Sequence, residues 1–392
     1  VSTPLSAAER ETLVATRRDL HSHPELGFEE HRTMALVVAR LEAAGYAVRQ
    51  VAGTGVVADL SGGEGAPGRT ILLRADMDAL PLVEENEVAY ASTSRGRMHA
   101  CGHDGHTAAL LTCAERLASR RASLRGRVRF CFQPAEEGRG GAERCIEDGA
   151  LDGVDAVFGV HLWNDLPVGR VGLAHGPVMA AVDRFEVLLE GAGGHGAMPH
   201  QTRDPVVAAA HVVTALQTIV ARTVSPLDAA VVTIARLHAG EGESWNIIPR
   251  TARLAGTARS YADATWAALP ARFEKVVRGV ADALGCAATI EYQRICPPTV
   301  NEPGVTDLVR GVARDLFGPD AVVVDGDRTR TMGGEDFSYF LRRAPGCFAF
   351  VGSRNEQRGL VHPHHSPRFD FDEDALDVSV RLLEGVALRF LG

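Results

Sequence analysis

"TILLRADMD", residues 70–78, is a short apolar run that ends in two acids. A strand with one wet face alternates apolar and polar residues. This run does not, so both of its faces are expected to be covered, as in a parallel sheet flanked by helices. The segments around it agree. "HDGHTAALLTCAERLASR" (103–120) has helical periodicity, "GRVRFCFQP" (126–134) reads as a strand, "GGAERCIEDG" (140–149) as a short helix and "DAVFGVHLW" (155–163) as another strand. Upstream, Ser6 with Glu9 three positions on opens a helix over 6–20. A second helix over 30–44 stops at Gly45, and β-branched runs follow at 47–51 and 55–60. Strand–helix alternation of this kind predicts an α/β domain built on a largely parallel sheet.

From Val182 the pattern changes. "VDRFEVLLEG" alternates like a half-exposed strand, and "DPVVAAAHVVTALQTIVART" (204–223) is a long helix. Strands at 228–240 and 251–261, a helix over 262–285 and a strand at 287–295 complete a β-α-β-β-α-β order, the split ferredoxin-like arrangement. After "CPPTVNEPG" the first pattern returns: a helix at 304–316, a β-rich segment at 321–324, a helix opening with "GGEDFSYFLRR" (333–343), the strand "CFAFVGS" (347–353) and a last helix near 373–390. The expectation is an α/β domain over 1–181 and 297–392, interrupted by an α+β domain at 182–296. "SGGEGAPG" (61–68) reads as a surface turn.

A net charge of −9 without long runs of one sign disfavours nucleic acid or an anionic membrane as partner. No stretch reaches the ~18 consecutive apolar residues of a membrane span, and "VSTPLSAAERETL" lacks the features of a signal peptide. The seven cysteines are scattered, mostly in apolar runs, which predicts a reducing cytoplasm, with Cys113, Cys131, Cys145, Cys286 and Cys347 as inert packing.

The chemistry gathers at strand ends, where open α/β sheets place their sites. Those ends carry Asp76 and Asp78, Glu136 and Glu137, His161, and the later cluster His362, His364 and His365. "MHACGHDGHTAA" (98–109) adds Cys101 and His103 just before a helix, whose N-terminus favours a thiolate. Thiolate, imidazole and carboxylate together suit zinc, manganese, cobalt or nickel. Of the adjacent pair Glu136–Glu137, one can hold metal while the other serves as a base, a division that suits hydrolysis. Cys101 beside His99 and His103 also has the look of a thiol nucleophile, but that reading leaves the glutamate pair, His161 and the late histidines unexplained. His106 is expected to support the ligands from behind or to pack, rather than ligate; His21 and His23 read as turn residues near a domain edge, with a place on the site rim as the alternative, and His31, His175, His211 and His238 receive no role.

"RRDLHSHPELGFEE", "RADMDALP", "MHACGHDGHTA", "FQPAEEG", "VFGVHLW", "GAGGHGAMPH", "DPVVAAAHVVTALQTIV", "NIIP" and "GGEDF", in this order, resemble the motifs of the N-acyl-amino-acid amidohydrolases. These form the hippurate-hydrolase and auxin-conjugate-hydrolase branch of the aminoacylase/carboxypeptidase-type metallopeptidases. The resemblance runs from about residue 17 to 375 and implies a two-metal site. It places the bridging thiolate on Cys101 and the other ligands on His103, Glu137, His161 and a C-terminal histidine, best matched by His365, with His364 and His362 behind it. Glu136 falls on the general base and Asp78 on an acid that orients the site. In the inserted lid and dimerisation domain, His195 falls on a residue that holds the scissile carbonyl oxygen, in several relatives across a dimer. Asn246 falls on a substrate contact, and Arg259, at the end of a lid strand, is the candidate holder of the amino acid's carboxylate. The implied activity is metal-dependent hydrolysis of N-acyl (aromatic acyl or acetyl) L-amino acids by a homodimer or higher oligomer, with hinges near 180–183 and 295–298. A dipeptidase, a deacetylase of N-acetylated intermediates and a non-catalytic homologue are the alternatives.

Overall fold

The computed structural model describes residues 2–63, 68–240, 244–324, 326 and 328–392, so residues 64–67 of the turn expected at 61–68 lie outside it. The chain divides into two compact units, the first made of Val1–Val178, Val300–Thr331 and Asp336–Gly392, the second of Met179–Thr299 and Met332–Glu335.

The first unit begins with helix α1 (Ala7–Ser22), closed at its start by the Ser6–Glu9 capping box. Helix α2 (His31–Ala43) ends before Gly45, whose φ of 83° only glycine adopts without strain. Then come β1 (Val48–Val51), β2 (Gly55–Ser61), β3 (Thr70–Asp76), α3 (His103–Ala118), β4 (Arg127–Gln133), α4 (Gly141–Glu147), β5 (Ala156–Pro167), β6 (Val171–Gly172) and β7 (Gly176–Met179).

The second unit follows with β8 (Ala181–Glu190), β9 (Gly194–His195), α5 (Pro205–Thr223), β10 (Ala230–Ala239), β11 (Ile247–Ile248), β12 (Thr251–Ser260), α6 (Asp263–Ala283) and β13 (Ala287–Cys296). The remaining elements are β14 (Thr299–Asn301), which pairs with β7, then α7 (Pro303–Phe317), β15 (Val322–Val323), α8 (Ser338–Leu341), β16 (Gly346–Arg354) and α9 (Asp374–Leu391).

The large sheet has the order β1-β2-β4-β3-β5-β16-β6-β15. Its middle strands β4, β3, β5 and β16 are parallel, and β3 is buried at every position, as the apolar run at 70–76 demands. Away from the middle, β1, β2 and β4 pair antiparallel, and so do β16 and β6. The turn between β1 and β2 is too short to do otherwise, because a parallel return needs a crossover. Four parallel carboxyl ends thus lie side by side.

In the second unit the antiparallel sheet β10-β12-β8-β13 buries Phe185, Val187 and Leu189 of β8 against Val212, Leu216 and Ile219 of α5 and Phe273 and Val277 of α6. Alternation along β8 is visible in its burial, odd positions inward and Arg184 and Glu186 exposed. By length and composition α5 would suffice to cross a membrane. Its buried residues Ala208, Ala209, Val212, Leu216 and Ile219 form one helical stripe inside this core, the pattern of an amphipathic packing helix.

One expected element is corrected. The helix read as opening at Gly333 is only Ser338–Leu341. The preceding Asp336 carboxylate is engaged by Arg74, by Gln133 and by the Ala142 backbone N–H at 2.8–3.0 Å, which holds the chain there as a loop.

Candidate functional site

The carboxyl ends of β3, β4 and β5 and the start of α3 bring most of the sequence-singled residues of the first unit together. Gly102, at φ 91°, turns the chain between Cys101 and α3. His103 is buried, and its Nδ1 lies 2.8 Å from the Asp78 carbonyl oxygen. A carbonyl only accepts, so Nδ1 carries the proton and Nε2, buried without a hydrogen-bond partner, is the free ring position. His161 repeats the device: Nδ1 donates to the Leu162 carbonyl at 2.6 Å, leaving Nε2 facing Cys101 Sγ at 3.6 Å. Glu137 presents a buried Oε1 that stands 3.2 Å from His365 Nε2.

Donor atoms of Cys101, His103 and His161 lie within 4.8 Å of one another, and so do those of Cys101, Glu137 and His365. Cys101 is common to both groups. His103, Glu136 and Glu137 form a third. Burial opposes charge on His103, yet Asp76 and Cys101 raise its proton affinity well above the ordinary range. Hydrogen bonds to Cys101 and Glu137 push His365 up to about 10. Around His103 and His365 this preference for the cationic form marks surplus negative charge, suited to a cation, whereas burial, with His106 and His364 nearby, drives His161 well below the ordinary range.

The other two late histidines are placed differently. His364 stacks on Trp163 (ring centroids 4.7 Å apart, 25° between planes) and points Nε2 at the Leu162 carbonyl, 2.9 Å away. Burial pushes its pKa down to about 3. His362 joins none of the donor groups among the described residues. His106, whose pKa burial lowers, uses both ring nitrogens: Nδ1 donates to Asp76 Oδ1 at 2.6 Å and Nε2 accepts from the Leu162 N–H at 2.9 Å.

Asp78 is the organiser of the glutamate pair. Its two carboxylate oxygens accept the backbone N–H groups of Glu136 and Glu137, each at 3.0 Å. Glu136 Oε1 in turn accepts the Asp336 N–H at 3.2 Å. Asp336 was missed from sequence because "GGEDF" reads as a helix start and not as a donor loop. The reading of His21 as a turn residue is also corrected. It is fully buried within α1, with Nδ1 2.8 Å from Asp104 and Nε2 3.2 Å from Glu84, and Arg17 bonds the same Asp104 oxygen at 2.8 Å. The sequence signal was weak, since these partners lie 83 and 63 residues away.

In the second unit, His195 is exposed on β9 opposite Ile247 of β11, and the Asn246 carbonyl accepts the adjacent Gly196 N–H at 2.8 Å. His195 Nδ1 accepts from the Ala197 N–H at 3.0 Å, so its neutral ring carries the proton on Nε2, as an outward donor. Arg259 of β12 has a buried Nη1 without a hydrogen-bond partner, and burial lowers its pKa.

Comparison with known proteins gives one consistent picture. Residues 72–389 match the model of peptidase family M20/M25/M40. The chain is 42% identical to an N-acetyl-L-cysteine deacetylase of Bacillus subtilis over 99% of its own length and 90% of the relative's. It is 39% identical to the IAA-amino acid hydrolase ILR1-like 4 of Arabidopsis thaliana, covering 97% and 86% of the two chains. Among solved structures, the Bacillus subtilis YXEP protein, described as a dinuclear metal-binding peptidase of the M20 family, superimposes with a TM-score of 0.84 at 36% identity, covering 98% of this chain and 99% of that one.

Proposed function

Because the chain belongs to peptidase family M20/M25/M40, we propose that it hydrolyses the amide bond of N-acyl L-amino acids, releasing a carboxylic acid and a free amino acid. The observation that carries this reading is the pair of donor groups sharing Cys101, set beside Glu136. The orphaned, buried His103 Nε2 and the negative surroundings that favour a cation beside His365 fit a pair of divalent ions, zinc, manganese, cobalt or nickel. Cys101, His103, Glu137, His161 and His365 would hold them. Such ions supply Lewis acidity, which polarises an acyl carbonyl and acidifies water.

The remaining work falls to the chain's own groups. Glu136 takes the proton of the attacking water and returns it to the leaving amine nitrogen. Asp78 positions it through the two backbone N–H groups it holds. His195, with its proton on Nε2, donates to the oxygen that becomes negative at the acyl carbon. Asn246 contacts the substrate near His195, and the Arg259 guanidinium, whose Nη1 is buried without a hydrogen-bond partner, takes the amino acid's carboxylate.

The second unit serves as lid and dimerisation domain. Its edge strand β10 exposes Val231 and Leu237, and Trp245 and Ile247 stand 98% and 63% exposed, which favours cover by a second copy. Seven free cysteines support a cytoplasmic setting.

The test is a panel of N-acetyl, N-benzoyl and indoleacetyl amino acids, with dipeptides alongside, assayed with each metal added. Release of amino acid from acylated substrates, abolished by chelation, is the expected result. Hydrolysis that survives chelation and stops with a thiol reagent would transfer the chemistry to Cys101.

A further inference from the structure

Glu30 is completely buried, and no step of the proposed mechanism uses it. It occupies the residue before α2, where a side chain ordinarily caps the helix, yet it makes no capping bond. Glu25 does that work instead, accepting the N–H groups of Arg32 and Thr33 at 2.9 and 2.8 Å. The Glu30 carboxylate is thereby free to reach elsewhere. One oxygen accepts the Thr54 hydroxyl at 2.6 Å, and the other accepts the Ala135 N–H at 2.8 Å.

Ala135 has φ 55°, in the left-handed region that a residue with a Cβ adopts only when its surroundings impose it. It sits immediately before Glu136 and Glu137. Three consecutive backbone N–H groups, those of Ala135, Glu136 and Glu137, are therefore held by two carboxylates, Glu30 and Asp78. The same loop is crowded from behind: a Cβ on Gly27 would stand 3.0 Å from Ala135 Cα, and one on Gly55 2.8 Å from Pro134 Cδ. Close packing and three carboxylate-held N–H groups thus act on the same loop.

We infer that Glu30 is a positioning residue, whose carboxylate fixes Ala135 in its left-handed conformation and so aims the Glu136 side chain. The inference rests on Glu136 being the base. Glu30 is held there at a cost in stability. Burial, with Asp78 adding to it against the opposing Thr54 and Ala135 hydrogen bonds, pushes Glu30 from its usual 4.5 up to about 7. A carboxyl with a raised folded pKa contributes stability that is complete below the unfolded value and is lost as pH rises through the folded one. The ionised clamp is thus a burden on the fold above about pH 7.

The experiment compares metal-loaded Glu30→Ala, Glu30→Gln and Glu136→Gln with the unsubstituted enzyme. Glu30→Ala should lower kcat about 10- to 100-fold, the scale of a misplaced catalytic group, with KM and metal content near those of the unsubstituted enzyme. Amide hydrogen exchange in the peptide spanning Ala135 and Glu137 should quicken. Glu30→Gln should restore most of the rate, since its carbonyl oxygen still accepts the Ala135 N–H, and it should resist urea better than the unsubstituted enzyme at about pH 8 but not at about pH 4. Unchanged kcat and exchange in Glu30→Ala, with Glu136→Gln inactive, would overturn the role of Glu30 alone. Loss of metal and of fold in both Glu30 variants would make Glu30 a structural residue and overturn it as well. An active Glu136→Gln enzyme would overturn the function reading beneath it.

Discussion

Glu136 and Glu137 are chemically identical neighbours whose proposed roles diverge because of where their oxygens lie. Glu137 Oε1 is buried and faces His365, while Glu136 Oε1 is engaged by the Asp336 N–H. Glu136→Gln should therefore lower kcat by about 10²–10⁴-fold or more, the contribution of a general base, while metal content stays unchanged. Glu137→Gln should lose metal. Metal analysis of both purified variants checks this, and the opposite pattern would exchange the two roles. The residue types of this site were legible in the sequence, since thiolate, imidazole and carboxylate at strand ends imply a metal whatever the fold. The choice among His362, His364 and His365 was not legible from residue type. It depends on geometry such as the stacking of His364 on Trp163 and the φ of 64° at His365.

At the scale of elements, α6 is held to its sheet by an aromatic group. Phe273 is 1% exposed, and its ring centroid lies 4.3 Å from that of Phe185 on β8 and 5.4 Å from that of Tyr292 on β13. Phe273→Ala should destabilise the second unit by about 3–5 kcal/mol, the cost of a large core truncation. Trp266, whose indole N–H bonds Asp183 within that unit, should report an earlier urea transition, while the metal content of the first unit is retained in native buffer. An unchanged transition would mean that the core relaxes around the cavity. The helices α1, α5 and α6 were legible in advance because burial of one face leaves a 3.6-residue imprint on the chain. The loop around Asp336 was not, because the partners of its carboxylate are Arg74, Gln133 and Ala142, about 190 to 260 residues away in sequence.

For the whole molecule the question is whether each site is completed by its own chain. His195 and Asn246 lie in one compact unit, and Cys101, His103, Glu136, Glu137, His161 and His365 in the other. If the exposed edge β10 builds a dimer and His195 acts across it, mixing inactive His195→Ala with inactive Glu136→Gln should restore activity through one intact composite site per heterodimer. Subunit exchange must be followed in parallel, by mass-tagged chains for example. Exchange without recovery would assign His195 to its own chain or remove it from catalysis.

The sequence by itself determined the classes of the two units and the donor chemistry of the site. These properties are encoded locally, as periodicity of apolar residues and as side-chain type. Tertiary structure alone decided which histidine nitrogen each carbonyl leaves free, how His21 is buried against Asp104, and why Glu30 matters at all. The reason is distance along the chain. The Glu30 carboxylate and the Ala135 N–H are separated by 105 residues, and only the folded sheet brings that donor and acceptor to 2.8 Å.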